Sequence, residues 1–216
     1  QGLLLSIVGG KTVEQSTSDQ DKASFDAIAA HVALVVLEEG KNVVKHASAV
    51  IVSRNFIVTS AHTFENFNFD ENHQAFIFFG ANGRFQSRSR VEFNKKDFLN
   101  RKPEELAAMP KWILQPEHKD FVLLKVEGGV PDGYTPIPMI KNISFFNQES
   151  KFRAAGFGIS DHGTNDFQLR MIDLTLSRSD ISQSSNVFSV ISDQIGPEGK
   201  NYFLVSRKRD FTSMNC

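Results

Sequence analysis

Apolar runs rich in Val, Ile, Leu and Phe recur along the chain, separated by short polar or glycine-containing breaks. Runs of this length between turn signals predict strands. They fall at Ala30–Leu37, Val43–Val52, Phe56–Ser60, Ala75–Phe79, Ser87–Phe93, Phe121–Val126, Phe152–Phe157, Leu169–Leu176, Val187–Ile191 and Tyr202–Ser206, ten strands in all. Long helical periodicity is not evident. One short helix is expected near Pro103–Ala108, where proline suits a first turn. Phe64–His73 and Lys95–Lys102 read as polar surface loops, and Ser177–Asn186 as a serine-rich one. Gly80–Gly83, Gly128–Gly133 and Gly196–Gly199 carry turn chemistry. The expectation is an all-β protein, with Gly128–Asn147 joining an N-terminal and a C-terminal β unit.

At 216 residues, the chain has ample capacity for a buried core. Twenty phenylalanines against one tryptophan and two tyrosines suit strands and dry interiors. A net charge of −1 supplies no field that would draw the chain to nucleic acid or an anionic membrane, so neither is expected as a partner. Gly2-Leu3-Leu4-Leu5-Ser6 is too short to span a bilayer and reads as the remnant of a signal peptide or propeptide. The single cysteine, Cys216, allows no disulfide within these residues. No His-Glu-x-x-His, Cys-x-x-Cys or phosphate loop occurs, and no cofactor or metal is expected.

Two segments carry candidate chemistry. Ala49 to His62 reads as a β-hairpin ending in Thr59-Ser60-Ala61-His62, where small residues leave room beside the imidazole. An imidazole is well suited to general-base work near neutral pH. Such a base needs an orienter. Asp120 stands at the mouth of the apolar run Phe121–Val126, and a carboxylate there must be hydrogen-bonded to be buried.

These residues, with four others, resemble the trypsin-like (chymotrypsin-fold) serine proteases. Ile7-Val8-Gly9-Gly10 resembles the family's activated N-terminus, and Thr59-Ser60-Ala61-His62-Thr63 its Thr-Ala-Ala-His-Cys motif. Phe79-Gly80 fits a strand-ending glycine, and Met109-Pro110-Lys111-Trp112 its His-Pro-x-Tyr/Trp segment. Asp120-Phe121-Val122-Leu123-Leu124-Lys125-Val126 resembles Asp-Ile-Ala-Leu-Leu-Lys-Leu, and Ala155-Gly156-Phe157-Gly158 resembles Ala-Gly-Trp-Gly. The matches follow the family's order.

The resemblance implies a double six-stranded antiparallel β-barrel, with an N-terminal barrel over residues 7–127, a connection over 128–147 and a partial C-terminal barrel over 148–216. It implies a serine endopeptidase acting on protein or peptide substrates, with His62 as base and Asp120 as orienter. Cleavage of Ser6-Ile7 by an activating protease would free the Ile7 amine to pair with an aspartate beside the nucleophile. The family joins the residue after the histidine to a cysteine fifteen positions before it. Those positions are Thr63 and Ala47 here, and both thiols are missing together. That suits a low-disulfide, bacterial branch and a secreted or periplasmic protein.

The string Gly-Asp-Ser-Gly-Gly, which carries the family's nucleophile, does not occur in these residues. Ser160 and Ser189 lack the glycine context for a tight turn with two convergent N–H donors. Cys216 matches the cysteine that lies four residues before the family's serine, which leaves the second barrel incomplete and places Met214 at the base of the primary specificity pocket. An uncharged residue there argues against Lys/Arg preference. The alternative is a catalytically inactive pseudoprotease serving as a binding module on the same fold. A further reading, an unrelated all-β adhesion or structural domain, requires His62 and Asp120 to lie far apart.

Overall fold

The computed structural model describes residues 10–16, 18–80, 89–107, 121–139, 151–158, 167–176 and 204–206. Its first strand, β1 (Val32–Glu39), runs into β2 (Asn42–Ser53) through a tight turn in which Gly40 takes φ +61°. β3 (Phe56–Thr59) completes a second hairpin with β2, as the sequence predicts. β4 (His73–Phe79), β5 (Ser89–Phe93) and β6 (Val122–Lys125) complete an antiparallel sheet in the order β5-β4-β1-β2-β3-β6. The sheet curls until the segment after β5 meets β6, through a bridge between Phe98 and Leu124 and a bond from Leu99 N–H to Leu123 O of 3.0 Å. A second antiparallel sheet holds β7 (Lys151–Gly156), β8 (Arg170–Leu176) and β9 (Leu204–Ser206). Nine of the ten expected strands are present, and the tenth, Val187–Ile191, lies outside the described residues.

β1 explains why its run shows no alternation. Ala33, Val35 and Leu37 fill the interior of the curled sheet with Ile51, Ile57, Ile77 and Leu124. Val32, Leu34 and Val36 point the other way, into a second core shared with Phe157, Leu169 and Met171 of the C-terminal unit. A strand buried on both faces reads as a continuous apolar run.

Two expectations need correction. A helix, α1 (Asp19–Ala29), precedes β1. Only Phe25 and Ala29, spaced i, i+4, are fully buried, so its apolar stripe is too narrow to register as a period. Its start is set by Ser18, whose Oγ accepts from Asp21 N–H at 3.1 Å, with Asp19 and Asp21 in the favourable first turn. Nor are the two loops simply superficial. Phe64 and Phe67 are buried, as are Asp97 and Phe98, because these connections fold aromatic rings into the end of the barrel. The short helix α2 (Pro103–Ala107) forms where expected. Ser177–Asn186 lies outside the described residues.

Candidate active site

His62 sits in a 3₁₀ turn, Ala61–Phe64, that follows β3 directly. Its neighbours Ala61, Thr63 and Phe64 are buried while His62 itself is half-buried, so the turn is anchored and the imidazole remains reachable. Phe64 is the main anchor. Its ring lies edge-to-face with Phe98 at 5.0 Å and Phe93 at 6.0 Å, and stacks on Phe69 at 6.4 Å.

Polar contacts complete the support. Ser60 Oγ and Thr63 Oγ1 are 2.7 Å apart, closing the turn on itself. Thr59 Oγ1 donates to Ser48 O at 2.8 Å, fixing the end of β3 to β2. Lys45 Nζ donates to Glu65 O, just past the turn. Burial holds the Lys45 amine below the usual lysine range, an effect that the Glu65 carboxylate partly offsets.

Ser48 also reaches the second sheet. Its Oγ accepts from Phe157 N–H at 2.9 Å, and His46 Nε2–H donates to Phe157 O at 3.1 Å. Phe157 is buried between Gly156 and Gly158, so β2 grips both backbone groups of that turn residue. Burial lowers the His46 pKa, and the bond to Phe157 O partly offsets this. The His46 ring meets Phe167 edge-on at 5.4 Å. The turn that carries His62 therefore stands one strand away from the join between the two sheets. Further along, Lys11 pairs with Met171 through two 2.9 Å backbone bonds, laying the N-terminal segment on the second sheet.

Of the site residues expected from the sequence, His62 alone is described. Asp120, Ile7 and Met214 lie outside the described residues, as do Cys216, Ser160 and Ser189. The sequence reading missed Lys45, Ser48 and the Ser60–Thr63 pair. The hydroxyls at i and i+3 around the histidine were the one local signal for that pair. Among the described residues, no group of three or more His, Cys, Asp or Glu is arranged to hold a metal ion. No described helix is long and apolar enough to cross a membrane.

A curled antiparallel sheet, a histidine turn leaving its third strand, and a second antiparallel sheet docked through β2 define a protein of chymotrypsin fold. The family model described as Trypsin matches residues 23–200, most of the chain, and the chain belongs to the trypsin family. It is similar to the scabies mite inactivated protease paralogue S-D1, with a TM-score of 0.57 and 12% identity over 93% of this chain and 75% of that one. It is also similar to the solved structure of GrC, with a TM-score of 0.53 and 14% identity over 84% of this chain and 71% of that one. At such identities the likeness speaks for the fold. No curated protein matches the sequence.

Proposed function

We propose that this chain is the base-carrying part of a serine endopeptidase, with His62 as general base and Asp120 as its orienter. The register of β3 against β6 gives the strongest support. Thr59 pairs with Val122, so the turn bearing His62 leaves β3 beside the point where the chain enters β6. Asp120 precedes Val122 by two residues in the sequence.

In this reading, His62 takes the proton from a serine hydroxyl as the oxygen attacks the peptide carbonyl, then returns it to the leaving amine. Asp120 keeps the proton of neutral His62 on Nδ1 and stabilises the imidazolium that forms. The serine, the oxyanion hole and the aspartate that receives the freed Ile7 amine are assigned to a segment of the gene product after Cys216. The same reading assigns Met214 to the base of the specificity pocket, where an uncharged residue would disfavour Lys/Arg substrates. Protein or peptide substrates, activation at Ser6-Ile7 and export from the cytoplasm complete the proposal.

The test begins with the transcript beyond the Cys216 codon. The expected result is Gly-Asp-Ser-Gly-Gly within ten residues, a product labelled by a fluorophosphonate, and peptide hydrolysis. His62→Ala and Asp120→Asn should each reduce kcat by on the order of 10⁴-fold or more. A transcript without that string, yielding an unlabelled product, sinks the enzyme reading.

One observation favours the second reading, a catalytically inactive binding module: a structurally similar protein is an inactivated protease paralogue. Against it, a purely binding role gives no chemical reason to keep both His62 and Asp120.

A further inference from the structure

We propose that Lys45 is a positioning residue for His62, tying β2 to the histidine turn in the place where the family uses a disulfide. This rests on the reading of His62 as the base. Ala47 and Thr63 occupy the disulfide positions, and Thr63 Oγ1 is turned instead toward Ser60 Oγ. Lys45 lies two residues before Ala47 and so shares its face of β2. Glu65 lies two residues after Thr63. The bond from Lys45 Nζ to Glu65 O therefore joins the same two segments, displaced by two residues on each.

Its setting separates this contact from an ordinary surface lysine. Lys45 is half-buried, and an ammonium withdrawn from water needs acceptors. It finds the Glu65 carbonyl and the field of the Glu65 carboxylate. Glu65 N–H is itself bonded to His62 O at 3.1 Å, so the residue held by Lys45 closes the turn around the histidine. Release of Glu65 frees the C-terminal end of that turn, while Thr59 and β3 stay anchored through Ser48. The predicted defect is consequently in the orientation of His62 more than in the sheet.

The experiment follows the His62 ring by ¹H–¹³C NMR in the 216-residue chain. Lys45→Met keeps the aliphatic stem and removes the donor, and Lys45→Arg keeps a donor. Lys45→Met should displace or broaden the His62 Cε1–Hε1 signal, leaving the signals of His31 and His73 in place. Lys45→Arg should restore it. Ala47→Cys with Thr63→Cys, oxidised in the Lys45→Met background, should restore it as well. A His62 signal unmoved by Lys45→Met overturns the proposal, even if the melting temperature falls. So do thiols that stay reduced, or a bridge that leaves the signal displaced. In a hydrolytically active product, Lys45→Met should lower kcat about tenfold with KM nearly unchanged. Unchanged kcat there overturns positioning and leaves His62 as the base. A displaced signal in a product without hydrolysis supports positioning while the base reading fails.

Discussion

Phe64 offers the most direct test of how the histidine turn is held. The side chain is 1% exposed and meets Phe98, Phe93 and Phe69 at ring separations of 5.0, 6.0 and 6.4 Å. Phe64→Ala removes the ring and opens a cavity among aromatic neighbours that are themselves pinned by the barrel wall. Substitutions of this kind cost about 3–5 kcal/mol. The ring pairs contribute to that figure, at about 0.5–1.5 kcal/mol each. Phe64→Leu keeps most of the buried volume and should cost under about 1.5 kcal/mol. With a urea m-value of about 3 kcal/mol/M for a chain of this size, the midpoint should fall by about 1–1.7 M for Phe64→Ala and by about 0.5 M or less for Phe64→Leu. Urea titration followed by circular dichroism reads both. A Phe64→Ala midpoint within about 0.2 M of the parent would show that the ring is not the anchor and that the turn is held elsewhere.

The join between the sheets makes two more predictions. Ser48→Ala leaves Phe157 N–H buried without its acceptor and should destabilise by about 1–3 kcal/mol, read as a urea midpoint shift. His46 sets a pH dependence. Its folded pKa lies below the ordinary value of 6.5, so the unfolded chain takes up the proton first. Its contribution to stability is whole above pH 6.5 and is lost as the pH falls through the folded value; His46→Gln should flatten the melting-temperature profile between pH 7 and 5. An unchanged slope would mean that other groups carry the acid sensitivity.

Much of the fold was legible because strands announce themselves locally. The β2–β3 hairpin could be read directly from Ala49–His62, while the burial of β1 on both faces emerged only from the structure. α1 was hidden because one Phe and one Ala carry its buried stripe, and its clearest signal was the Ser18 cap. Phe64 and Phe67 stood among Asn, Glu and Asp residues that suggested a solvated loop, yet both are buried. At the site, the histidine string was legible because its small residues are contiguous. Lys45 reaching Glu65, twenty positions away, and Ser48 reaching Phe157, 109 positions away, leave no local trace. Asp120 was read from its place before an apolar strand, and its pairing with His62 still belongs to the proposal.

The long-range contacts converge on β2 in a way that follows from strand geometry. Side chains alternate between faces, so Lys45 serves one side while His46 and Ser48 serve the other. The first tethers the His62 turn; the second pair grips Phe157 on the C-terminal unit. Ser48 joins the two functions, since its carbonyl holds Thr59 while its hydroxyl holds Phe157. A one-residue slip of β2 would exchange the faces and lose every one of these contacts. The register is resisted by Ala49 and Ile51, fully buried on the inner face, where the slip would place Ser48 and Val50. Core packing of β2 thus sets the position of His62 relative to the second sheet, a task that a chain without a disulfide here must perform through register and hydrogen bonds alone.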